Sequence, residues 1–415
     1  MNLTRFFEKS PMKIIAGMLL AFFMLYRAAL FWFKAFHGFA WDYSINWTAA
    51  MALREGLSLY DRVALHQLAV SQIGNGAQAL FNGRFTSFVG LPTTAILHLP
   101  FSILPYEVSV AFYRWLALFA MLVAILLTGL ALPAALRWRA WLAGVLCLLL
   151  WHSFSFSLQL GQVDAWVMLS LATAVFATSR SQWALAGAAI AVAVLLKVSP
   201  VWLLLFCLLK RQWSLVFVAG MFIVAGLCLS CWPQHGQDIQ QFFATVLPSL
   251  GDSPLHVQNQ SLGAFLARLA TPDTQLLSFA VGIGIWKTVG AGIAAVLLLV
   301  LHRATRGTVL QAEDLAAVIL LALLAGPLTW DHYLTWAVIP VMLLAARLSP
   351  VGIAFLILLL LPMAFPVQYL KADIIATSDW WRVLTGVQIS ALLLVMVWII
   401  RRCSIQACQL YKAEV

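Results

Sequence analysis

Long apolar stretches alternate with short polar ones along almost the whole chain. The first covers residues 14–36 and reads IIAGMLLAFFMLYRAALFWFKAF. A helix needs about 20 apolar residues to cross the hydrocarbon core of a bilayer, and several stretches reach or approach that length. The later stretches are residues 108–132, 141–158, 163–178, 213–232, 284–302, 314–328, 333–346, 350–366 and 381–400. The pattern predicts an all-α polytopic membrane protein.

Two apolar segments are interrupted by polar residues and prolines. The sequence LKVSP, which ends at Pro200, divides the segment between Arg180 and Lys210, which is too short for two full spans. We expect two short helices here that meet inside the protein, where broken helices are tolerated. Residues 85–104 contain Pro92 and Pro100 and are interpreted as a re-entrant or interfacial segment. The whole chain, residues 1–415, then forms a single membrane domain of about twelve spans.

The composition fits a lipid environment and excludes an ordinary soluble globule. The chain is 63% hydrophobic and 10% charged, with a mean hydropathy of +0.94, whereas a soluble domain carries about 25% charged residues. The net charge of +10 does not indicate nucleic-acid binding, because the basic residues form short pairs between apolar stretches, as on cytoplasmic loops. Both termini are therefore predicted to be cytoplasmic. Two larger loops, residues 37–106 and 233–283, are predicted on the opposite side of the membrane.

Cysteines and short motifs add little chemistry to this picture. Cys228 and Cys231 form a C-x-x-C, but they lie in an apolar stretch without a nearby histidine, so packing explains them better than zinc or a disulfide. The sequence contains no P-loop, G-x-S-x-G or D-x-D motif and no pair of histidines at ligand spacing. These observations argue against nucleotide chemistry, serine hydrolysis and a dedicated metal site.

Asp42 is the first polar residue that needs an explanation. It follows the first apolar stretch within FAWDYSINWTA and is surrounded by aromatic residues. One interpretation is an N-cap for the helix that follows, which Gly56 would end. The other is a general base at the boundary between water and membrane. Both interpretations can hold together.

Other polar residues interrupt the apolar pattern further along the chain. GQVD places Gln162 and Asp164 between two spans, where polar groups are costly unless they have partners. Lys197 lies at the helix break and is expected to have an anionic partner. WDHYL places Trp330, Asp331 and His332 between two strongly apolar stretches and indicates a functional role more strongly than the other motifs; a capping Asp and a hydrogen-bonded His are the alternative. We also expect Arg27, within the first span, to pair with an interior acid.

The order of these motifs resembles glycosyltransferase family 87. The residues that carry the resemblance are WDYSINWTAAMALREGLSLYD, a following proline-containing segment, GQVD, LLKVSP, NQSL followed by Arg268, and WDHYL, and they span about residues 30–345. Members are GT-C membrane enzymes related to polyprenol-phosphate-mannose-dependent alpha-mannosyltransferases. The chain departs from the family pattern at Asp164, where many members carry Asn, and in FTSFVGLP, where a Tyr-Pro-Pro segment is more usual.

The resemblance implies a GT-C-type bundle and an inverting transfer of mannose or another monosaccharide. The donor would be a polyprenyl-phosphate-linked sugar, and the acceptor a hydroxyl of a glycolipid or polysaccharide at the outer face of the bacterial inner membrane. Asp42 would be the catalytic base, with no cofactor and no metal. Residues expected to bind the donor phosphate or another part of the substrates are His332, Lys197, Arg84, Arg268, Lys287, Gln162, Asp164, Asn259, Gln260, Trp330, Asp331 and Trp47.

Two other classes of function compete with a transferase. A transporter or lipid flippase would also place polar residues at helix breaks. It would, however, gather its ionisable groups near the midplane and often show an internal repeat, whereas here the acids lie mainly in the outer loops and no repeat is visible. A scaffold subunit is disfavoured by the number of costly polar groups within apolar segments.

Overall fold

The computed structural model describes residues 11–74, 88–231, 236–250, 255–270, 282–364 and 386–414. Within these ranges the regular structure is helical, and no strand is present beyond isolated bridges such as that between Asn259 and Trp330. The prediction of an all-α protein is confirmed for this part of the chain.

The N-terminal half begins with a long helix and then three short ones. Its helices are α1 (Pro11–Phe36), α2 (Trp41–Glu55), α3 (Arg62–Ile73), α4 (Pro92–His98), α5 (Tyr106–Leu130), α6 (Ala134–Leu150), α7 (His152–Leu160), α8 (Asp164–Ser179), α9 (Trp183–Leu196), α10 (Val201–Leu209) and α11 (Trp213–Ser230).

The C-terminal half contains several irregular helical turns. Its helices are α12 (Gly236–Gln241), which continues through a π-helical turn (Phe242–Val246) into Leu247–Leu250, α13 (Leu262–Ala270), α14 (Trp286–Ala304), α15 (Ala312–Ala325), a 3-10 helix (Asp331–Ala337) that leads into α16 (Val338–Ala345), α17 (Pro350–Leu360) with a 3-10 turn (Leu361–Ala364), and α18 (Val387–Glu414).

Five described helices are long and apolar enough to cross a membrane, and a bent pair makes a sixth candidate. The bent pair is α6 and α7, which meet at 62° where a single span over residues 141–158 was expected. Trp151 between them is extended rather than helical, and this conformation breaks the helix. A multi-pass protein is supported, whereas the count of twelve spans stays a prediction.

The break around Lys197 matches the sequence prediction. Helix α9 ends at Leu196 and α10 begins at Val201, after Pro200. The residue before a proline avoids helical geometry, which explains why the two helices do not fuse. Thr93 and Thr94 of α4 donate hydrogen bonds to the carbonyls of Leu195 and Leu196, at 2.5 and 3.5 Å. The end of α9 is thus held by the proline-containing segment that precedes α5.

The core of the bundle lies around α8, α15 and α16. Helix α8 packs against α5 and α9, and α9 packs in turn against α11. Every residue of α16 is buried, as is nearly all of α15. The outer helix α1 instead exposes large apolar side chains such as Phe22 and Leu25, as expected for a surface in contact with lipid.

Arg27 of α1 has a different partner from the acid that was expected. Its guanidinium donates to the carbonyl of Leu150 at 2.6 Å, where α6 ends at the bend. The last carbonyls of a helix have no partner within that helix, so a cation at this position satisfies one of them. Arg27 therefore stabilises the broken helix.

Candidate active site

Asp42 lies in the first turn of α2 and points towards α7. The N-cap position of α2 is Ala40, and no side chain caps the helix, so the capping interpretation of Asp42 is wrong. Its carboxylate instead accepts a hydrogen bond of 2.6 Å from the side-chain amide of Gln162. Gly56 ends α2 in the left-handed conformation with φ +71°, as predicted. Asp42 is only partly buried.

Gln162 is positioned by a close approach between two helices. Gly161 ends α7 with φ +69°, a conformation that favours glycine. A Cβ atom added at Gly161 would lie 2.5 Å from the Cβ of Tyr43, the residue next to Asp42. The hydroxyl of Tyr113 on α5 donates to the carbonyl of Gln162 at 3.1 Å. The absence of a side chain at 161 therefore lets Gln162 reach Asp42.

A buried charged cluster lies beside this pair. The ammonium of Lys197 lies 2.7 Å from Oδ1 of Asp164, which is fully buried. Nε2 of His332 lies 3.8 Å from Oδ2 of the same carboxylate. Oδ2 of Asp164 and both ring nitrogens of His332 have no hydrogen-bond partner among the described residues. The cluster therefore has unused polar atoms, which are costly in a buried position unless a ligand meets them.

Aromatic rings enclose the lysine of this cluster. The Lys197 ammonium lies 3.1 Å from the ring centroid of Tyr333 and 5.7 Å from that of Trp336. A cation over an aromatic face is attracted to its quadrupole, most strongly where water is excluded. Lys197 and Asp164 are also close enough to Asp42 for their charges to act on it. The structure thus brings together five residues that the sequence singled out from four separate segments: Asp42, Gln162, Asp164, Lys197 and His332.

Arg114 on α5 was not anticipated from the sequence. Its guanidinium donates to four backbone carbonyls: Phe36 at 3.2 Å, Gly38 at 3.0 Å, Leu158 at 3.1 Å and Gln159 at 2.7 Å. The first carbonyl belongs to the last residue of α1 and the second follows that helix, while the other two belong to the last turn of α7. The sequence could have indicated Arg114 by its position within the apolar stretch of α5, because a charged residue in such a stretch needs a partner.

The effect of Arg114 is to fix the two segments that carry the Asp42–Gln162 pair. Asp42 follows Gly38 closely in the chain, and Gln162 follows Gln159 closely. A guanidinium that binds carbonyls on both sides sets the separation of these segments. Arg114 therefore positions the pair without touching either side chain.

His98 of α4 packs against the same region through Tyr43 and Tyr113. Its ring lies 5.6 Å from that of Tyr43 and 5.0 Å from that of Tyr113, and Nδ1 is bonded to the carbonyl of Thr94 at 2.8 Å. Burial lowers the pKa of His98 to about 4, so the ring is neutral at physiological pH. It acts as an aromatic packing residue beneath Tyr43.

A second group of predicted residues joins two loops. The Asn259 side chain donates to the carbonyl of Pro327 at 3.1 Å and accepts from the amide of Thr329 at 3.1 Å. The backbone N–H of Gln260 donates to the carbonyl of Thr329 at 2.6 Å, and its side-chain amide donates to the carbonyl of Val257 at 2.7 Å. Because Asn259 and Gln260 are fully buried and bonded to the backbone, their visible role is to hold the segment before Trp330 in place.

Arg268 and Asp331 lie next to this loop junction. Arg268 is fully buried and donates to the carbonyl of Asn259 at 2.7 Å. Burial lowers the pKa of Arg268 to about 10, partly opposed by the attraction of Asp331, so the guanidinium stays charged. Both oxygens of Asp331 lack a hydrogen-bond partner within the described ranges.

The remaining predicted residues lie apart from the charged cluster or outside the described residues. Trp47 is buried and its indole donates to the carbonyl of Phe101 at 3.1 Å, as a packing residue does. Trp330 is partly exposed, and Lys287 lies in the first turn of α14. Arg84 lies outside the described residues. No group of three potential metal ligands was found among the described residues.

The geometry and the membrane helices define a class of protein, a polytopic membrane protein with a carboxylate at the start of the helix that follows its first long helix. A model of glycosyltransferase family 87 matches residues 88–329, which is more than half of the chain. The chain therefore belongs to glycosyltransferase family 87, and the resemblance inferred from the motifs is confirmed. Gln162, Asp164 and Lys197 lie within the matched region, whereas Asp42 precedes it and His332 follows it closely.

Three curated relatives give a consistent picture. A polyprenol-phosphate-mannose-dependent alpha-(1-2)-phosphatidylinositol pentamannoside mannosyltransferase of Mycolicibacterium smegmatis is 28% identical over 61% of this chain, and the match covers 59% of that relative. A phosphatidylinositol mannoside mannosyltransferase of Mycobacterium tuberculosis, dependent on the same donor, is 27% identical over 75% of this chain and 79% of the relative. A second M. smegmatis enzyme of that name is 26% identical over 71% of each chain.

Proposed function

We propose that this glycosyltransferase moves mannose or another monosaccharide from a polyprenyl-phosphate donor to a hydroxyl of a glycolipid or polysaccharide. The family assignment supports sugar transfer over transport, and all three relatives are named for a polyprenol-phosphate-mannose donor. The observation that carries the proposal is the Asp42–Gln162 pair beside the Asp164–Lys197–His332 cluster. A base and a cationic group lie side by side there, and an inverting displacement needs both.

Asp42 acts as the general base in this proposal. The acceptor hydroxyl gives its proton to Asp42 as its oxygen forms a bond to the anomeric carbon of the donor sugar. The bond from that carbon to the phosphate oxygen breaks on the opposite face, and the electron pair leaves with the lipid phosphate. The configuration at the anomeric carbon is inverted. Gln162 holds the carboxylate in position by its hydrogen bond of 2.6 Å.

His332 is the proposed contact for the leaving phosphate. Neither ring nitrogen has a hydrogen-bond partner among the described residues, so the N–H of the ring is free to donate to a phosphate oxygen. Nε2 of His332 lies 3.8 Å from Oδ2 of Asp164, so the ring and this carboxylate border the same space. The Lys197 ammonium is engaged with Asp164, so its proposed role is to keep this carboxylate charged and to add positive potential. Arg268 and Lys287 are secondary candidates for the lipid phosphate, as is Arg84.

The reaction is placed at the outer face of the inner membrane, with both termini in the cytoplasm. The support is the distribution of basic pairs along the sequence. A cysteine introduced at Ser58 is expected to react with an impermeant thiol reagent in intact cells, and one at Ser404 is not. Labelling at Ser404 with protection at Ser58 would reverse the orientation and place Asp42 in the cytoplasm.

The decisive experiment compares Asp42→Asn with wild-type protein in membranes supplied with a radiolabelled polyprenyl-phospho-sugar and a crude acceptor. Loss of a general base lowers the rate by about 10²–10⁴-fold. Asn keeps the side-chain shape, so abundance and membrane insertion should be unchanged. Asp61→Asn is the matched control, because Asp61 only caps α3 and Asn caps equally well.

Two results would contradict the proposal. One is an Asp42→Asn variant that keeps more than about a tenth of the wild-type rate, which a general base does not allow. The other is a wild-type activity that EDTA abolishes and Mg²⁺ or Mn²⁺ restores, since the proposed leaving-group contacts are protein cations. That result would assign Asp42 and Asp164 to a metal.

A further inference from the structure

A polar cavity lies between α1 and the bend that separates α6 from α7. It is lined by Arg27 and Lys34 of α1, by Trp151 at the bend, and by His152 and Ser155 of α7. None of the nine described residues that line it is acidic. Two cations and a polar helix end thus face one space, which favours an anionic ligand.

The cations are aligned by the geometry of α1. Arg27 and Lys34 are two helical turns apart, so they lie on the same face of α1. Arg27 is anchored by its hydrogen bond to Leu150 at 2.6 Å, while its Nε atom is buried and has no hydrogen-bond partner among the described residues. Both cations are close enough to His152 for their charges to act on its ring.

Helix α7 adds its positive end to the same cavity. The helix begins at His152, covers nine residues, and has no side-chain cap at its N-terminus. The unpaired N–H groups of a first helical turn attract anions, and phosphate groups are frequent ligands of such ends. The helix end, Arg27 and Lys34 are three independent sources of positive potential around one cavity.

The ligand can reach the cavity from the lipid phase. The opposite face of α1 exposes large apolar side chains. Among the described side chains of α1, only Phe31 and Ala35 are buried. A lipid beside α1 could therefore place its head group behind the helix while its tail stays in the bilayer.

The cavity is separate from the proposed reaction centre but connected with it. It lies at the start of α7, whereas Gln162 follows the end of the same helix, about 13 Å further along the axis. A chain of ring contacts joins the two sites, because His152 stacks on Phe156 at 5.1 Å and Phe156 lies 5.8 Å from His332. The separation along α7 is longer than one sugar ring, so a ligand in the cavity does not occupy the reaction centre.

We propose that the cavity between α1 and the α6–α7 bend binds the phosphate of a membrane lipid, with Arg27 and Lys34 as its charged contacts. The proposal rests on the proposed function, because the polyprenyl phosphate that transfer releases and a lipid acceptor are its two sources of phosphate. The released polyprenyl phosphate offers a monoester, and a phospholipid offers a diester held away from the reacting hydroxyl.

The test measures lipid binding to the purified full-length protein in mixed micelles by native mass spectrometry. The probes are polyprenyl phosphate, phosphatidylinositol and inorganic phosphate. Lys34→Gln and the double variant Arg27→Gln/Lys34→Gln are compared with Arg62→Gln, which removes an exposed cation at the start of α3. Loss of a hydrogen bond to a charged group should weaken binding about tenfold or more per contact. Thermal unfolding of each variant establishes that it is folded.

Each outcome decides a part of the proposal. Weaker binding of polyprenyl phosphate alone assigns the cavity to the lipid phosphate that transfer releases, and weaker binding of phosphatidylinositol alone assigns it to a phospholipid. Displacement of either lipid by inorganic phosphate at equal concentration assigns it to the free anion. Wild-type affinity for both lipids in a folded Lys34→Gln variant and in the folded double variant overturns the proposal.

Failure of this site can be told apart from failure of the proposed function. Asp42→Asn should keep wild-type lipid binding while it loses transfer. If Asp42→Asn retains transfer, the proposed base is wrong, yet the affinities of the Arg27 and Lys34 variants still decide whether the cavity binds lipid phosphate.

Discussion

Two lysine–aspartate pairs lie inside the helical bundle, and they differ in how completely their polar atoms are used. Lys210 lies 3.9 Å from Asp314 and donates to the carbonyls of Thr305 at 2.6 Å and Thr308 at 2.8 Å. Asp314 forms a capping box with Gln311 at the start of α15. Lys197 lies 2.7 Å from Asp164, whose second oxygen lacks a hydrogen-bond partner among the described residues.

Under the proposed function, the difference separates a structural pair from a pair that serves the reaction. A buried ion pair contributes to stability only when its remaining lone pairs and protons are also satisfied. The Lys210 pair meets that condition by tying α10 to the turn after α14 and to α15. The Lys197 pair does not meet it, and the histidine beside it has two unused nitrogens. Such unsatisfied groups are retained where a substrate completes the network.

The largest expected effect comes from replacing each pair by apolar residues. Lys197→Met alone leaves Asp164 buried and unpaired and should cost about 3–5 kcal/mol of stability. The double variant Lys197→Met/Asp164→Leu should recover most of that stability while turnover stays reduced by about 10²-fold or more. Thermal unfolding and the radiolabelled transfer assay measure the two quantities on the same preparation.

The matched experiment uses the other pair. Lys210→Met/Asp314→Leu should lower the unfolding temperature, because Thr305 and Thr308 lose a donor, while turnover per folded molecule stays near wild type. The distinction between the two pairs is wrong if the Lys210→Met/Asp314→Leu variant is folded and inactive. It is also wrong if Lys197→Met/Asp164→Leu is active.

A smaller effect is expected from His332→Ala. Loss of one well-aligned contact to the leaving phosphate should reduce turnover by about 10²-fold. Stability should also fall, because the buried ring packs against Phe156 and Tyr333 and its removal leaves a cavity, so turnover is compared per folded molecule. His302→Ala, in the last turn of α14, serves as the control. Transfer at the wild-type rate in a folded His332→Ala variant would move the phosphate contact to Arg268 or Lys287.

Arg114→Lys tests whether the reaction depends on the spacing of the Asp42–Gln162 pair. Lysine keeps the charge but cannot reach four carbonyls, so we expect about a tenfold loss of turnover. The effect should be non-additive with Gln162→Ala, because both changes release the same carboxylate. A purely structural arginine would instead give additive losses together with a lower yield of folded protein.

The smallest effect is predicted for Thr308→Val, which removes one of the acceptors of Lys210 at 3.3 Å. One neutral hydrogen bond contributes about 0.5–1.5 kcal/mol, and the other acceptors of Lys210 remain. The unfolding temperature should fall by a few degrees with unchanged transfer. A change in turnover without a change in stability would give the Lys210 pair a functional role.

The sequence predicted much of this site because polar residues are conspicuous in apolar segments. Asp42, Gln162, Asp164, Lys197 and His332 all interrupt such segments, and the structure brings them together. The break at LKVSP was predictable from the proline, and the end of α2 from Gly56. These features depend on local chemistry, which a single sequence displays.

Features that depend on contacts between distant segments were not predictable. Arg114 and Arg27 bind backbone carbonyls of other helices, and no residue type in the sequence marks a carbonyl as an acceptor. The bend at Trp151 has no proline or glycine at its position, so the stretch was interpreted as one span. Asn259 and Gln260 stay predicted substrate contacts; the structure shows the Asn259 side chain bonded to Pro327 of another loop and the Gln260 side chain bonded to Val257 of its own loop.

The close approach of Gly161 to Tyr43 sets a mechanical limit on the reaction centre. The two backbones meet where an added Cβ atom would lie 2.5 Å from that of Tyr43, so hard-sphere repulsion between them fixes how near Gln162 can come to Asp42. Repulsion of this kind does not weaken with salt, acidity or competing water, unlike the hydrogen bonds around it. The minimum distance between the Asp42 carboxylate and the Gln162 amide is therefore set by atomic radii. It is the same in every ionisation state of the site.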